Sequence, residues 1–261
     1  MLFRSCLGCA ALLAGLALLP WTAAPRGLEV IGLDVGHGTS VVLRAPGEPA
    51  WVFDAGSRDR TRVGPSGLGP LLRSWDAGRV ELVLSHADAD HTNGWPWLFE
   101  RWTRGRCYGA PPAHQDERLT HTARCDLAQG LLRLPTRGPL SLGLARACDE
   151  PGNEGSRTLL VSTGGQRLVF TGDADARRQV ELPGLAGSET PCALALLPHH
   201  GAAGMYLGRW LDRLRPAEVW ISCAGPAPAE AELERRGIPW RSTARDGPLT
   251  WSWFPPAKAP P

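Results

Sequence analysis

The sequence predicts an α+β domain in which two β-sheets pack face to face with helices on their outer sides. Three observations carry this. Short apolar strands bounded by Gly- and Pro-bearing turns recur in both halves of the chain, each half also holds helical stretches, and clusters of His and Asp follow directly on strands. The composition suits one domain: 261 residues, 43% apolar and 21% charged, enough to bury a core and too apolar for wholesale disorder. A formal net charge of +2 gives no electrostatic basis for a nucleic-acid binder by itself.

In chain order, residues 1–24 form the one long apolar run. It carries Arg4 and then no charge through Ala24, which reads as an export signal or a membrane anchor, with an exported, periplasmic, extracellular or membrane-anchored protein as the consequence. Strands are predicted at Leu28–Val35, Ser40–Ala45 and Ala50–Ala55. A Gly/Pro loop, Gly56–Gly69, leads into a helix at Pro70–Trp75. Val80–His86 is a buried strand and Gly94–Trp102 a helix. The stretch from Arg104 to Gly138 has no clear period; an irregular helix is expected around His114–Ala128.

The second half repeats the rhythm. SLGLARAC, RTLLVST, RLVFTGD, ALALLPHHG and AEVWISCAG read as strands, with helices at Ala174–Leu182, Gly204–Leu214 and Ala227–Arg236 and a last strand at Leu249–Phe254. The domain is therefore expected to span residues 28–255, followed by a Pro-rich tail at 256–261. Five cysteines lie in this body. Cys192 and Cys223 sit in strand-like runs as small hydrophobes, and two of Cys107, Cys125 and Cys148 are expected to pair if the domain is exported.

The chemistry lies at strand ends. Ser85-His86-Ala87-Asp88-Ala89-Asp90-His91 packs two imidazoles and two carboxylates into one loop, an arrangement costly to fold without a partner, so that its buried carboxylates must be paired or bind a cation. The H-x-D-x-D-H spacing can divide its ligands between two adjacent metals, and the His/Asp mixture suits zinc, manganese or iron rather than calcium. Thr171-Gly172-Asp173 and Pro198-His199-His200-Gly201 each end another strand, so one face of the sheets can gather all three clusters. Trp95, Trp97 and Trp102 follow the first loop; packing of the helix face explains them better than stacking on a ligand.

The order LDVGHG, FDAG, SHADADH, N-x-x-S, TGD and PHHG resembles the metallo-β-lactamase fold, and more narrowly the C-terminal hydrolase domain of ComEC-type competence (DNA-uptake) proteins. The likeness covers Leu28 to Trp253 and implies a four-layer αββα sandwich. It assigns His86 and Asp88 to one metal, Asp90, His91 and His200 to the other, and Asp173 to a bridge between them. Asp34, Asp54 and Asn153 are then expected to support the ligands from behind. Asp90 is assigned a catalytic role; successive residues leaving a strand point in opposite directions, so His199 is expected to turn away from His200's metal and to act either as a supporting group behind the ligands or as proton donor to the leaving oxygen. The cofactors implied are two divalent ions, zinc or manganese.

Some positions depart from that pattern. His37 replaces a common glutamine, Thr39-Ser40 stand where an aspartate or serine is common, and Ala202 replaces a serine after the histidine pair. Gly225-Pro226-Ala227 lacks a histidine found in relatives. The metal set is intact, and these changes bear on the substrate. The expected function is a metal-dependent phosphodiesterase or nuclease acting on a phosphodiester such as single-stranded DNA. The alternatives are a lactone, lactam or thioester hydrolase, and a non-catalytic domain that binds nucleic acid or cell-wall polymer. No protein partner is predicted.

Overall fold

The structure is a computed structural model that describes residues 24–102, 106–109, 130–146, 148, 150, 152–182, 185, 190–202, 204 and 206–256. Its strands form two sheets, as the repeated Val/Leu/Ile/Trp runs require. The first holds β1 (Leu28–Gly32), β2 (Val41–Arg44), β3 (Ala50–Phe53), β4 (Val80–Leu84), β5 (Cys107–Gly109) and β13 (Leu249–Trp253), in the order β13-β1-β2-β3-β4-β5. The second holds β6 (Gly130–Leu134), β7 (Ser141–Arg146), β8 (Arg157–Thr163), β9 (Gln166–Phe170), β10 (Cys192–Leu196), β11 (Val219–Ile221) and β12 (Trp240–Ser242), ordered β12-β11-β10-β9-β8-β7-β6. Each sheet is antiparallel at one side and parallel at the other: β3, β4 and β5 run together, as do β9, β10, β11 and β12.

Side-chain alternation along the strands sorts the residues into three apolar layers. Between the sheets lie Val30, Leu43, Trp51, Phe53 and Val83 from the first and Leu144, Leu159, Leu168, Phe170, Leu196 and Trp220 from the second. Phe53 and Phe170 meet across this layer with ring centroids 6.3 Å apart. Outside the first sheet pack α1 (Gly69–Ser74) and α3 (Trp95–Arg101), burying Leu71, Leu72, Trp95 and Leu98. Outside the second pack α5 (Leu207–Leu214) and α6 (Glu230–Arg236) through Leu207, Trp210, Leu211, Leu214 and Leu233. Short helices α2 (Ala89–Thr92), α4 (Ala176–Val180) and α7 (Thr243–Asp246) finish loops. The layers are thus αββα.

The structure refines several expectations. The predicted loop Gly56–Gly69 contains a wide π-helical turn, Val63–Leu68. Strands β5, β6 and β12 were not apparent in the sequence. β6 is an edge strand whose residues are mostly half-buried or exposed, with Leu131 43% exposed, so it shows no buried run. The helix expected around His114–Ala128, the apolar leader apart from Ala24, and Cys125 lie outside the described residues. Among the described residues no helix is long and apolar enough to cross a membrane. Cys107 and Cys148 are buried free thiols, as are Cys192 and Cys223, so neither joins the expected disulfide. Burial pushes the Cys107 and Cys192 thiols up to about 12, which keeps them inert.

Phe170 is fully buried and lies at the end of β9, immediately before Thr171-Gly172-Asp173. Phe170→Ala should cost about 3–5 kcal/mol in urea unfolding, because it empties the layer between the sheets. A loss below about 1 kcal/mol would show that the two sheets do not depend on this contact.

Candidate metal centre

The strands stop short of their predicted ends because the residues that follow leave the ladders to build the site. At the end of β3, Asp54 takes a left-handed backbone (φ 56°) while its N–H donates to the Val83 carbonyl of neighbouring β4 (2.9 Å). That turn buries its carboxylate completely. Asp54 accepts from the Ser85 N–H (2.7 Å), the Ser85 hydroxyl (2.7 Å) and His91 Nδ1 (2.7 Å). Gly56 allows the following loop to lie against α2: a Cβ there would fall 2.3 Å from the Asp90 carbonyl carbon. At the end of β9, Gly172 lies so close to Ser85 and Ser156 that a Cβ would fall within 2.6 and 2.8 Å of theirs.

Three imidazoles are oriented in the same manner. His86 Nδ1 is 2.9 Å from the Ser85 hydroxyl, His91 Nδ1 is held by Asp54, and His200 Nδ1 is 2.9 Å from the Ser222 carbonyl. With Nδ1 engaged as the donor, each Nε2 is directed to the centre and can offer a lone pair there once it is deprotonated. All three Nε2 atoms, and Asp90 Oδ2, are buried without a hydrogen-bond partner. Ligand atoms of Asp90, His91, Asp173 and His200 lie within 4.8 Å of one another. His91 Nε2 is 3.1 Å from Asp173 Oδ1, and His200 Nε2 is 3.5 Å from both Asp90 Oδ2 and Asp173 Oδ2. These are attractive distances without hydrogen-bond alignment. Buried His nitrogens and Asp oxygens converging in this way fit a divalent cation of the zinc or manganese kind.

His86 and Asp88 stand beside this group. His86 Nε2 is 3.6 Å from Asp88 Oδ2 and 4.0 Å from Asp173 Oδ2, and the His86 and His91 ring centroids are 4.2 Å apart. Asp88 is 43% exposed, so this flank opens to solvent. Asp173 faces both flanks. The adjacent histidines diverge: His199 and His200 both adopt left-handed backbone (φ 50° and 53°), His200 is buried, and His199 is exposed with its ring centroid 6.4 Å away. Consecutive non-glycine residues in this region cost about 1–3 kcal/mol each, a strain typical of functional sites.

Two of the expected supporting residues act differently. Asp34 touches none of the ligand side chains; it accepts from the Gly36 N–H (3.2 Å) and pairs with Arg60 (2.9 Å), fixing the loop after β1. In the N-x-x-S element it is the serine that reaches the site: Ser156 Oγ accepts the Asp173 N–H (3.1 Å), while Asn153 contributes its backbone carbonyl to Ser156. Sequence reading also passed over Ser85, Ser222 and Arg58. Ser85 lies inside the metal motif and was legible there. Arg58, whose Nε is 3.0 Å from Asp90 Oδ2, sits in an irregular loop without any pattern. His37 joins it, 3.8 Å from Asp90 Oδ2 and with its ring centroid 4.8 Å from His200. The tryptophans pack as expected: Trp95 is buried under the first sheet, and Trp97 covers Gly64 and Gly69.

Charge is balanced within the cation-free cluster. Burial would lower the His91 imidazole, but the Asp54 charge and Asp173 outweigh it and raise it to about 10. Burial likewise lowers His200, and Asp173 and Asp90 raise it to about 9. Burial pushes Asp90 up, but His200, His91 and Arg58 hold it down at about 2. Asp173 falls well below the usual carboxylate range, since His200 and His91 overcome its burial. His86 is lowered, by burial and then by the neighbouring charge of His91.

This architecture and its strand-end cluster define the class: the chain has the metallo-β-lactamase fold. Igni18, a metallo hydrolase of Ignicoccus hospitalis, superposes with a TM-score of 0.57 at 16% identity, covering 86% of this chain and 99% of its own. Tm1679, a metal-dependent hydrolase of the β-lactamase superfamily, gives 0.60 at 13% identity over 86% and 99%. In sequence the chain is similar to Competence protein ComA of Neisseria gonorrhoeae, 28% identical over 243 residues. That match takes in 85% of this chain and 33% of ComA, so the chain spans about a third of its curated relative. No family model matches the sequence.

The charge balance makes a signed prediction for protein kept in chelator. The raised His91 and His200 contribute stability that is complete below about pH 6.5 and lost as pH rises through about 9 and 10. Asp90, depressed to about 2, contributes above about pH 3.8 and loses its share as pH falls through about 2. The lowered His86 works the other way, removing stability as pH falls below about 6.5, so unfolding free energy measured against pH should be greatest near 6.5 and decline toward pH 10. A stability that rises steadily across pH 7–10 would contradict this ionisation pattern.

Proposed function

We propose that the protein is a metal-dependent phosphodiesterase that uses two divalent cations, zinc or manganese. The observation that supports it most is the convergence of the buried His91 and His200 Nε2 atoms with the Asp90 and Asp173 carboxylates, with the buried His86 Nε2 4.0 Å from Asp173 beside them. In this reading Asp90, His91 and His200 hold one cation, His86 and Asp88 the other, and Asp173 serves both. The cations would supply Lewis-acid charge and acidify water at neutral pH. The chain's own groups do the rest. Asp54, Ser85 and Ser222 hold the imidazoles in the tautomer that presents Nε2. Asp90, held ionised by His200, His91 and Arg58, is assigned to orient the attacking water by accepting a hydrogen bond from it. His199, exposed next to His200, stands at the rim as proton donor to the leaving oxygen.

The substrate class rests on the similarity to a competence protein and on the N-x-x-S element, where lactam and lactone hydrolases of this fold carry a ligand histidine. Arg58 and His37 add hydrogen-donating groups at the mouth, suited to a phosphodiester such as single-stranded DNA. Anchoring or export through residues 1–24 belongs to the same reading.

The decisive experiment is metal analysis of the purified protein with a panel of bis-p-nitrophenyl phosphate, single-stranded DNA, duplex DNA, phosphocholine esters and a lactam. Phosphodiester hydrolysis stimulated by manganese or zinc and abolished by chelation is expected. Lactam turnover with no phosphodiester cleavage would replace the substrate assignment, and failure to bind metal under any reconstitution would remove the centre.

The adjacent histidines provide a second test. His200→Ala should weaken or empty one cation position, whereas His199→Ala should retain the metal and slow turnover by about 10²-fold or more. Metal content measured on both variants decides it; loss in His199→Ala with full occupancy in His200→Ala reverses the roles.

A further inference from the structure

Arg167, near the start of β9, is 6% exposed, yet its Nε and Nη1 have no hydrogen-bond partner. Nor do the described residues offer it an ion pair. A guanidinium stays charged at any physiological pH, and a buried charge without a counter-charge costs several kcal/mol. Part-buried arginines elsewhere at the sheets have acids: Arg44 has Glu29 and Arg79 has Glu81. Arg167 instead lines a cleft of about 240 Å³ together with Pro139, Ser162, Gln166 and Thr190, and no described carboxylate lines it. Strand register sets the geometry. Ser162 pairs directly with Arg167 across β8 and β9, so both side chains leave the same face of the sheet. The hydroxyls of Ser162 and Thr190 are donors of the kind that complete a shell around an oxyanion. The cleft is remote from the metal centre, since the β9 chain runs on the order of 20 Å from Arg167 to Asp173.

We propose that Arg167 and this cleft form an anion site, separate from the metal centre, that takes an oxyanion of the phosphate class. The planar fork of the guanidinium binds two phosphate oxygens, and Ser162 and Thr190 donate to the others. The anion supplies the counter-charge that the described residues do not. This site stands on Arg167 alone and does not depend on the activity assigned to the other end of the sandwich.

Thermal unfolding of the full chain in inorganic phosphate, acetate and chloride at matched ionic strength tests it, with metal-loaded and chelator-treated protein in parallel. Wild type should gain melting temperature in phosphate under both metal conditions. Arg167→Met should melt no lower than wild type in chloride, because it removes an unpaired charge, and should need at least tenfold more phosphate for the same gain. Ser162→Asp, which sets a carboxylate opposite Arg167, should raise the melting temperature in chloride and abolish the phosphate response. If Arg167→Met does not fold, Ser162→Asp decides. An unaltered phosphate response in either variant, an equal response to acetate, or a response that vanishes with chelation overturns the proposal.

Discussion

The Asp54 carboxylate organises the site. It is fully buried, sits on a left-handed turn, and is held by three donors from Ser85 and His91. Breaking a buried charged pair of this kind typically costs about 3–5 kcal/mol, because the partner is left uncompensated. The network also fixes orientation. Through Ser85 it sets His86, through Nδ1 it sets His91, and the Ser85 carbonyl accepts the Arg157 N–H at the start of β8. One carboxylate thus ties β3 and β4 of the first sheet to β8 of the second. The elements that pack the domain are also those that aim the imidazoles.

The topology explains why such a cluster forms at all. Parallel strands deliver their carboxyl ends to the same side, and loops leaving those ends are free of ladder hydrogen bonds. Asp54, His86, Asp173, His200 and Ser222 all follow parallel strands: β3, β4, β9, β10 and β11. The antiparallel halves contribute packing and no ligands, apart from the Ser156 brace just ahead of β8. Ser222 closes the arrangement, since its carbonyl holds His200 while its hydroxyl donates to the Gly38 carbonyl of the first half (2.7 Å).

Much of this was legible in the sequence. Strands β1–β4 and β7–β11, the helices that cover both sheets and the clustering of His86, Asp88, Asp90, His91, Asp173 and His200 at strand ends follow from apolar runs and from the cost of grouped buried charge. What escaped is what has no period. β6 lies at an edge and is not buried, β5 and β12 are three residues long, and Arg58 and Ser222 reach the cluster only because loops distant in sequence converge. Asp34 misled for a related reason: a strand-end aspartate looks alike whether it faces a cluster or, as here, pairs with Arg60 and caps its own turn.

The two flanks of the centre differ in how they are built, and the difference comes from one short element. On the His91–His200 side, every ligand atom is buried and each imidazole is held from behind. On the His86 side, Asp88 is open to solvent, and the N-x-x-S turn lies behind the site rather than in it. Its serine spends its hydroxyl on the Asp173 backbone, so the element contributes to the position of a shared carboxylate instead of adding a donor. A divalent ion gains from each deprotonated donor it meets and from each donor that needs no reorientation. By that measure the proposed His91–His200 position is the better preorganised, while the proposed His86 position has His86, the solvent-facing Asp88 and a share of Asp173.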